Sequence, residues 1–232
     1  MKLDKTYVIN LEHRTDRRSQ MEAQLKRVRI DNYEIFKAIQ PTLADVYEWN
    51  PKFITPAPPW LLEGKTDIDK YRVGSLGCLM SHYEVIKDAL SKGYENIMIL
   101  EDDTEFLFDM EFKSVLRHLK PHTDHVIDNE YGILYLSGNH NGGIVKKMSG
   151  NISFVQGTLT TGSYIISKKG MELMVKQINH FEREIDVYYA FVFQTQLKCF
   201  CFTPHLSKQG AGFSDILQRD VSYPLNQTIK ST

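Results

Sequence analysis

Three consecutive acids, Glu101-Asp102-Asp103, follow the apolar run Ile97-Met98-Ile99-Leu100. An apolar strand running into acids places them where open α/β sheets bind ligands, beyond the carboxyl ends of the strands. Side chains alternate along a strand, so Glu101 and Asp103 are expected on one side and Asp102 on the other. Three crowded carboxylates repel one another. A hard cation such as Mn²⁺ or Mg²⁺ removes that cost, held by one or two carboxylates plus the phosphates of a substrate. Acidic triplets also occur in ordinary solvated turns, and only the position after a buried strand brings the metal reading level with that one.

A second cluster is Asn10-Leu11-Glu12-His13-Arg14-Thr15-Asp16-Arg17-Arg18, just past an apolar strand. An Asn that can hydrogen-bond a planar ring, next to guanidinium groups suited to phosphate, makes a nucleotide pocket. The plainer reading is a helix start with a solvated charged face, although arginine in a first turn opposes the helix dipole. The third cluster is Gly74-Ser75-Leu76-Gly77-Cys78-Leu79-Met80-Ser81-His82. Two glycines entering a helix allow close backbone approach, and helix amino termini bind anions. Ser81 and His82 sit one turn further in, where a lone histidine is more often structural than catalytic.

The elements that must position these groups alternate. Lys5 to Leu11 reads as a buried strand, a helix from Thr15 puts Met21, Leu25 and Val28 on one face, and Tyr33 to Ala38 is a second strand. Strand, helix, strand implies a parallel crossover and an α/β sheet. Five of the 8 prolines and both tryptophans, Trp49 and Trp60, fall between Gln40 and Gly74, where no helical period survives and an irregular loop is expected. Order returns with a helix over 76–91, a strand over 96–100 and a short helix capped by Asp109. Further strands are expected at 132–137 and 163–167, then a helix bearing Met171, Met174, Val175 and Ile178. The last core strand is 197–202, and the tail after Arg219 reads as irregular.

At 232 residues, one domain spanning 1–232 is the expectation. A formal net charge of −1 offers no general attraction for nucleic acid or anionic lipid. The 3 cysteines, Cys78, Cys199 and Cys201, sit in apolar patterns and read as buried thiols. No apolar run approaches the ~20 residues needed to cross a bilayer. Met1-Lys2-Leu3-Asp4-Lys5 lacks the apolar core of a signal peptide, so a cytoplasmic protein is expected.

Taken singly, none of the clusters decides a function. In order they do. Val8-Ile9-Asn10-Leu11…Arg14…Asp16-Arg17, Phe36-Lys37-Ala38, Gly74…Leu76-Gly77-Cys78…Ser81-His82 and Ile99-Leu100-Glu101-Asp102-Asp103 together resemble glycosyltransferase family 25. That family includes lipopolysaccharide and lipooligosaccharide galactosyl- or glucosyltransferases and procollagen galactosyltransferases. Looser matches follow at Thr161-Gly162-Ser163-Tyr164, Ile185-Asp186, Pro204-His205-Leu206…Gln209 and Ser214-Asp215-Ile216.

The resemblance implies a GT-A-type, Rossmann-like mixed sheet flanked by helices, a UDP-sugar donor, Mn²⁺ or Mg²⁺, and inversion at the anomeric carbon. By that likeness Glu101-Asp102-Asp103 is a DxD-like motif, with Asp103 the direct metal ligand and Asp102 beside it. Asn10, Leu11 and Arg14 would lie along the nucleotide, with Ser81 and His82 completing the donor side, and His205 could complete the metal shell. An inverting transfer needs a carboxylate to take the acceptor proton, for which Asp186 is the first candidate and Asp215 the second. Asp186 reads almost equally well as a helix N-cap.

The proline that often precedes the Asp186-like acid is replaced here by Glu184-Ile185. Over the Pro/Trp segment no family pattern carries over. There Trp49 and Trp60 could stack on acceptor sugars as a lid, or simply pin a surface loop. The acceptor class is a glycan, a lipid-linked sugar or a protein, and a bacterial or viral origin is expected. The rival class is a non-catalytic domain that binds a sugar nucleotide or glycan, against which the intact acids count, since carboxylates are costly without a metal. A metal-dependent phosphohydrolase shares strand-end acids but not the Gly-Cys…Ser-His block.

Overall fold

A computed structural model describes residues 1–63, 66–119, 124, 130–140, 143–178 and 181–222. Its centre is an eight-stranded mixed sheet. The chain opens with β1 (Lys5–Asn10), α1 (Thr15–Arg27) and β2 (Tyr33–Lys37), and β1 pairs in parallel with both β2 and β3 (Asn96–Glu101). Next to β3 runs the antiparallel β8 (Ser163–Ser167), followed by β5 (Tyr131–Tyr135) and β9 (Lys198–Phe202). The hairpin β6 (Ile144–Ser149) and β7 (Ile152–Gln156), absent from the sequence-based expectations, closes the far edge. The α/β mixed sheet flanked by helices is thus the architecture expected.

Strand alternation divides the core in two. Tyr7 and Ile9, Ile97 and Ile99, and Tyr164 and Ile166 enter one apolar cluster. Their neighbours Val8, Met98, Leu100 and Ile165 enter the other, on the opposite face. A sheet covered on both faces needs unbroken apolar strands, which is why these segments do not alternate with polar residues. The first face is covered by α4 (Ile68–Ser91), α6 (Lys168–Gln177) and α7 (Ile185–Phe191). The second is covered by α1 and α5 (Phe112–His118), which bury Met21, Leu25, Phe112 and Val115.

Several boundaries differ from expectation. The segment from Gln40 to Gly74 is not irregular throughout. It contains α2 (Leu43–Trp49), started by a Thr42/Asp45 capping box, α3 (Pro59–Glu63), and the first turns of α4, capped by Asp67. These helices are too short to show a period, and the capping residues were the only local signal. Gly64 and Lys65 lie outside the described residues. Asp109 does not cap α5. Glu111 holds that position without a side-chain bond, and Asp109 pairs with Arg27 instead. After β9 the chain forms three more short strands, β10 (Ser207–Gln209), β11 (Gly212–Ser214) and β12 (Arg219–Val221), so order extends past Arg219. The Gly138–Gly143 turn is described except for Asn141 and Gly142. No helix among the described residues is long and apolar enough to cross a membrane.

Candidate active site at the strand ends

The acid triplet lies where β3 leaves the sheet. Glu101 is held from two sides: Thr161 Oγ1 donates to its Oε1 at 2.7 Å, and His82 Nε2 lies 3.3 Å from the same oxygen. His82 is fully buried in α4 and contacts the Tyr164 hydroxyl through Nδ1 at 2.8 Å. It is therefore a positioning residue for Glu101. Burial alone would push the Glu101 carboxyl up, but the His82 and Thr161 bonds outweigh it and hold the group below the ordinary carboxylate range.

Asp102 turns toward β1 and α1. It accepts from Asn10 Nδ2 at 2.7 Å and from Arg17 Nη1 at 2.8 Å, yet burial still raises its carboxyl. Asp103 is fixed by the small β4–β10 ladder, in which β4 (Thr104–Phe106) sets Gln209 beside it. Gln209 Nε2 donates to Asp103 Oδ2 at 3.0 Å, while buried Oδ1 has no hydrogen-bond partner. Burial and the neighbouring Glu101 charge push Asp103 well above its usual value. A buried acceptor without a donor, on a carboxylate reluctant to ionise, is the chemistry a cation relieves.

The glycine block plays a different part from that expected. Gly74 and Gly77 lie inside α4, not at its amino terminus, so no helix-end anion site forms there. A Cβ on Gly77 would sit 2.7 Å from the Ile39 carbonyl, and Ser81 accepts from Ile39 N–H at 2.8 Å while donating to Gly77 O. Both residues dock the chain leaving β2 against α4.

That docking shapes a cavity of about 590 Å³, walled by Leu11, Arg17, Ile39, Ser81, His82 and the three acids. Asn10 and Arg14 serve its frame. Asn10 also bonds the Arg14 carbonyl, and Arg14 pairs with Asp16 and, at 2.5 Å, with Asp215 beyond β11. Asp215 also lines this cavity, tied to a guanidinium.

A second cavity, about 480 Å³, shares Cys78, Glu101, Gln209, Ser214 and Ile216 with the first. Asp186 lines it, together with Trp60 and Tyr71. Glu184, not Asp186, holds the N-cap position of α7. Burial, then the charge of Glu184, pushes Asp186 up to about 6. Trp60 is half exposed and stands edge-on to Tyr71 at 5.7 Å, whereas Trp49 packs on the core. His205 lines this cavity too, but its Nε2 lies 3.3 Å from His140 Nε2. Of the three expected metal ligands, Asp102 and Asp103 share Arg17, whose Nη1 lies 2.8 Å from Asp102 and 3.8 Å from Asp103, while Asn10 and Gln209 add one bond each and His205 is turned to His140 instead. From sequence, Arg17 is named only as one guanidinium of its cluster, and Thr161 and Gln209 only as loose family matches without a role. Arg17 was legible as a cation near a strand end; the other two are brought in only by tertiary pairing.

Residues 3–189 match the sequence pattern of glycosyltransferase family 25 (LPS biosynthesis protein). The chain belongs to that family. It is 30% identical over 139 residues to procollagen galactosyltransferase 1-B of Xenopus laevis, covering 59% of this chain and 21% of that protein. It is 32% identical over 121 residues to a putative glycosyltransferase, R655, of Acanthamoeba polyphaga mimivirus, covering 50% of this chain and 34% of the relative. A human relative, inactive glycosyltransferase 25 family member 3, is 29% identical over 119 residues, covering 50% of this chain and 19% of that protein. The matched part of the chain thus spans only a fifth to a third of these relatives. Among solved structures, apo UDP-glucose pyrophosphorylase aligns over 87% of this chain and 90% of that one, at a TM-score of 0.45 and 8% identity. The glycine block, the acid triplet and Asp186 fall inside the family match, while His205, Gln209 and Asp215 fall outside it.

Proposed function

We propose that this family 25 chain is an inverting hexosyltransferase, moving galactose or glucose from a UDP-sugar to a hydroxyl of a glycan, lipid-linked or protein acceptor. One observation carries the reading: a cavity holding the strand-end acids adjoins a second holding Asp186 and Trp60, with Glu101 common to both. A donor in the first cavity would meet an acceptor in the second at that shared wall.

In this reading the UDP moiety lies between Leu11 and Ile39, with its diphosphate toward Asp103 and Arg17. Asp103, with Asp102 behind it, would hold Mn²⁺ or Mg²⁺, since its unpaired buried Oδ1 is a hard oxygen donor. The bound ion would act as a Lewis acid on the departing diphosphate. Asp186 takes the acceptor hydroxyl's proton as the new C1–O bond forms and the C1–O bond to UDP breaks on the opposite face. A value of about 6 leaves Asp186 mostly ionised at neutral pH yet basic enough to accept that proton. Trp60 offers an apolar platform for a sugar face. Asp215, tied to Arg14, serves better as a latch for the segment over the donor cavity than as a base.

The test is to titrate UDP, then several UDP-sugars, with Mn²⁺ and with EDTA, and to repeat with Asp103→Ala. Metal-dependent binding that is largely lost in the variant supports the proposal, and the most readily hydrolysed UDP-sugar names the donor. Binding indifferent to both metal and mutation favours a non-catalytic sugar-nucleotide or glycan-binding domain, the alternative that an inactive relative keeps open.

A further inference from the structure

Away from the acid triplet, His140, Cys201 and His205 each present a potential ligand atom within 4.8 Å of the other two. Cys201 and His205 are buried, and His140 is half-buried. Cys201 comes from β9, His205 from the turn that follows it, and His140 from the loop after β5.

The two imidazoles meet nitrogen to nitrogen, Nε2 to Nε2, at 3.3 Å. In a metal-free protein only one of those nitrogens can carry the shared proton. His140 is satisfied in either tautomer, because Thr158 Oγ1 lies 2.8 Å from its Nδ1 and a hydroxyl can donate or accept. The Nδ1 of His205 is buried without a partner whichever way the proton sits, and a metal on its Nε2 would not change that. Two nitrogens held on one tetrahedral Zn²⁺ at roughly 2.0–2.1 Å would be about 3.3 Å apart, and a thiolate at about 2.3 Å would lie about 3.5 Å from each. The observed spacing of the imidazoles is that of a tetrahedron's edge.

We propose that His140, Cys201 and His205 form a Zn²⁺ site separate from the catalytic acids, with water in the fourth position. Two imidazoles and a thiolate are borderline-soft donors that suit zinc better than Mn²⁺ or Mg²⁺. Binding needs no redox partner. Cys201 loses its thiol proton to solvent, and both imidazoles bind neutral. Burial, reinforced by His205, already lowers His140 to about 4, and burial lowers His205, so both lone pairs are free at neutral pH. Burial raises the Cys201 thiol, so the metal must displace that proton. The Thr158 hydroxyl on His140 Nδ1 is the outer contact that orients a ligating histidine. The site would clip the Gly138–His140 wall of the second cavity to the turn before β10. It does not depend on the transferase reading.

The experiment strips the full chain of metal and titrates it with Co²⁺, then with Zn²⁺. One equivalent of Co²⁺ is expected to give a thiolate-to-cobalt charge-transfer band in the near ultraviolet, displaced by Zn²⁺. The band should vanish in Cys201→Ser and persist in Cys78→Ser and Asp103→Ala. Thr158→Val should weaken Zn²⁺ by about 10–100-fold. If Cys201→Ser fails to fold by circular dichroism, His140→Gln decides: at least about ten-fold weaker Co²⁺ binding supports the site, and unchanged binding overturns it. No band, a band surviving Cys201→Ser, or a band lost only in Cys78→Ser (cobalt at Cys78, His82 and Glu101) also overturns it.

Discussion

Asp186→Asn should make the protein inactive and, at neutral pH, more stable. The Asp186 carboxyl moves from 3.8 to about 6 on folding, chiefly through burial and then through Glu184, so its charged form is disfavoured by roughly 3 kcal/mol. An amide removes that charge at nearly constant volume. Part of the gain is returned, because the carboxylate accepts from Val187 N–H at 2.8 Å and from the Thr160 backbone. An amide keeps one acceptor and turns the other into a donor, costing about 1–2 kcal/mol. The net gain is about 1–2 kcal/mol, or roughly 2–8 °C in Tm for a chain of this length. The sign depends on pH. Asp186 is protonated in both states below about pH 4, so the variant gains nothing there; the gain grows as pH rises and is complete above about pH 6. The same titration governs turnover if Asp186 is the base: wild-type kcat/KM should fall about 10-fold from pH 7 to pH 5, and the variant should lose about 10²–10⁴-fold. Thermal melts at pH 4.5 and pH 8, paired with UDP-release assays, measure both. Equal destabilisation at the two pH values, with activity within about ten-fold of wild type, would refute the assignment.

Three further outcomes are expected. Gly77→Ala should destabilise by about 1–3 kcal/mol, because its Cβ would meet the Ile39 carbonyl at 2.7 Å and Pro41 Cδ at 3.0 Å; a chemical melt reads this, and an unchanged midpoint contradicts the packing. Trp60→Ala should raise acceptor KM while leaving UDP affinity and, to within about 0.5 kcal/mol, stability unchanged, since the ring is half exposed; an acceptor KM equal to wild type removes Trp60 from the acceptor surface. If the first cavity takes the UDP-sugar, Arg14→Ala and Asp215→Asn should each weaken UDP binding by freeing the segment over it, and a double-mutant cycle should return a coupling of about 1 kcal/mol for this partly exposed pair; additive effects would mean that the pair is no latch.

The sheet was legible because its central strands are buried on both faces, so Tyr7-Val8-Ile9 and Ile97-Met98-Ile99-Leu100 stand out as unbroken apolar runs. The β6–β7 hairpin was not, because Ile144-Val145-Lys146-Lys147 lies at an edge and its exposed lysines dilute the pattern. The helices of the Pro/Trp segment were hidden by their brevity, and only Thr42/Asp45 and Asp67 marked their starts. At the site, the acids, Asp186 and Asp215 could be named from the sequence, since each sits at an element boundary. Their partners could not. Gln209 reaches Asp103 through a ladder spanning a hundred residues, and Arg14 meets Asp215 across twice that separation. His205 was read toward the acids because a histidine far down the chain has no local clue to its partner. Its partner is His140, across a strand pairing that no short-range pattern encodes.

Glu101 links the two cavities electrically as well as sterically. Its negative charge contributes to the raised carboxyls of Asp102, Asp103 and Asp186, and to the raised thiol of Cys78. At Asp186 that contribution ranks below burial and Glu184, so removing it should shift Asp186 only by a fraction of a pH unit, and downward. Glu101→Gln is the suitable perturbation, because the amide oxygen can still accept from Thr161 Oγ1, now at 2.7 Å from Oε1. With Asp186 as the base, the variant keeps turning over and the acid limb of its kcat/KM profile moves to lower pH. If Asp103 holds a metal ion, the variant should reach half-saturation at a lower Mn²⁺ concentration, because Asp103 would ionise more readily without the neighbouring charge. If Glu101 itself takes the acceptor proton, the same substitution abolishes turnover and leaves no acid limb to follow. The pH profile of this one variant therefore separates a carboxylate that reacts from one that sets the charge of its neighbours.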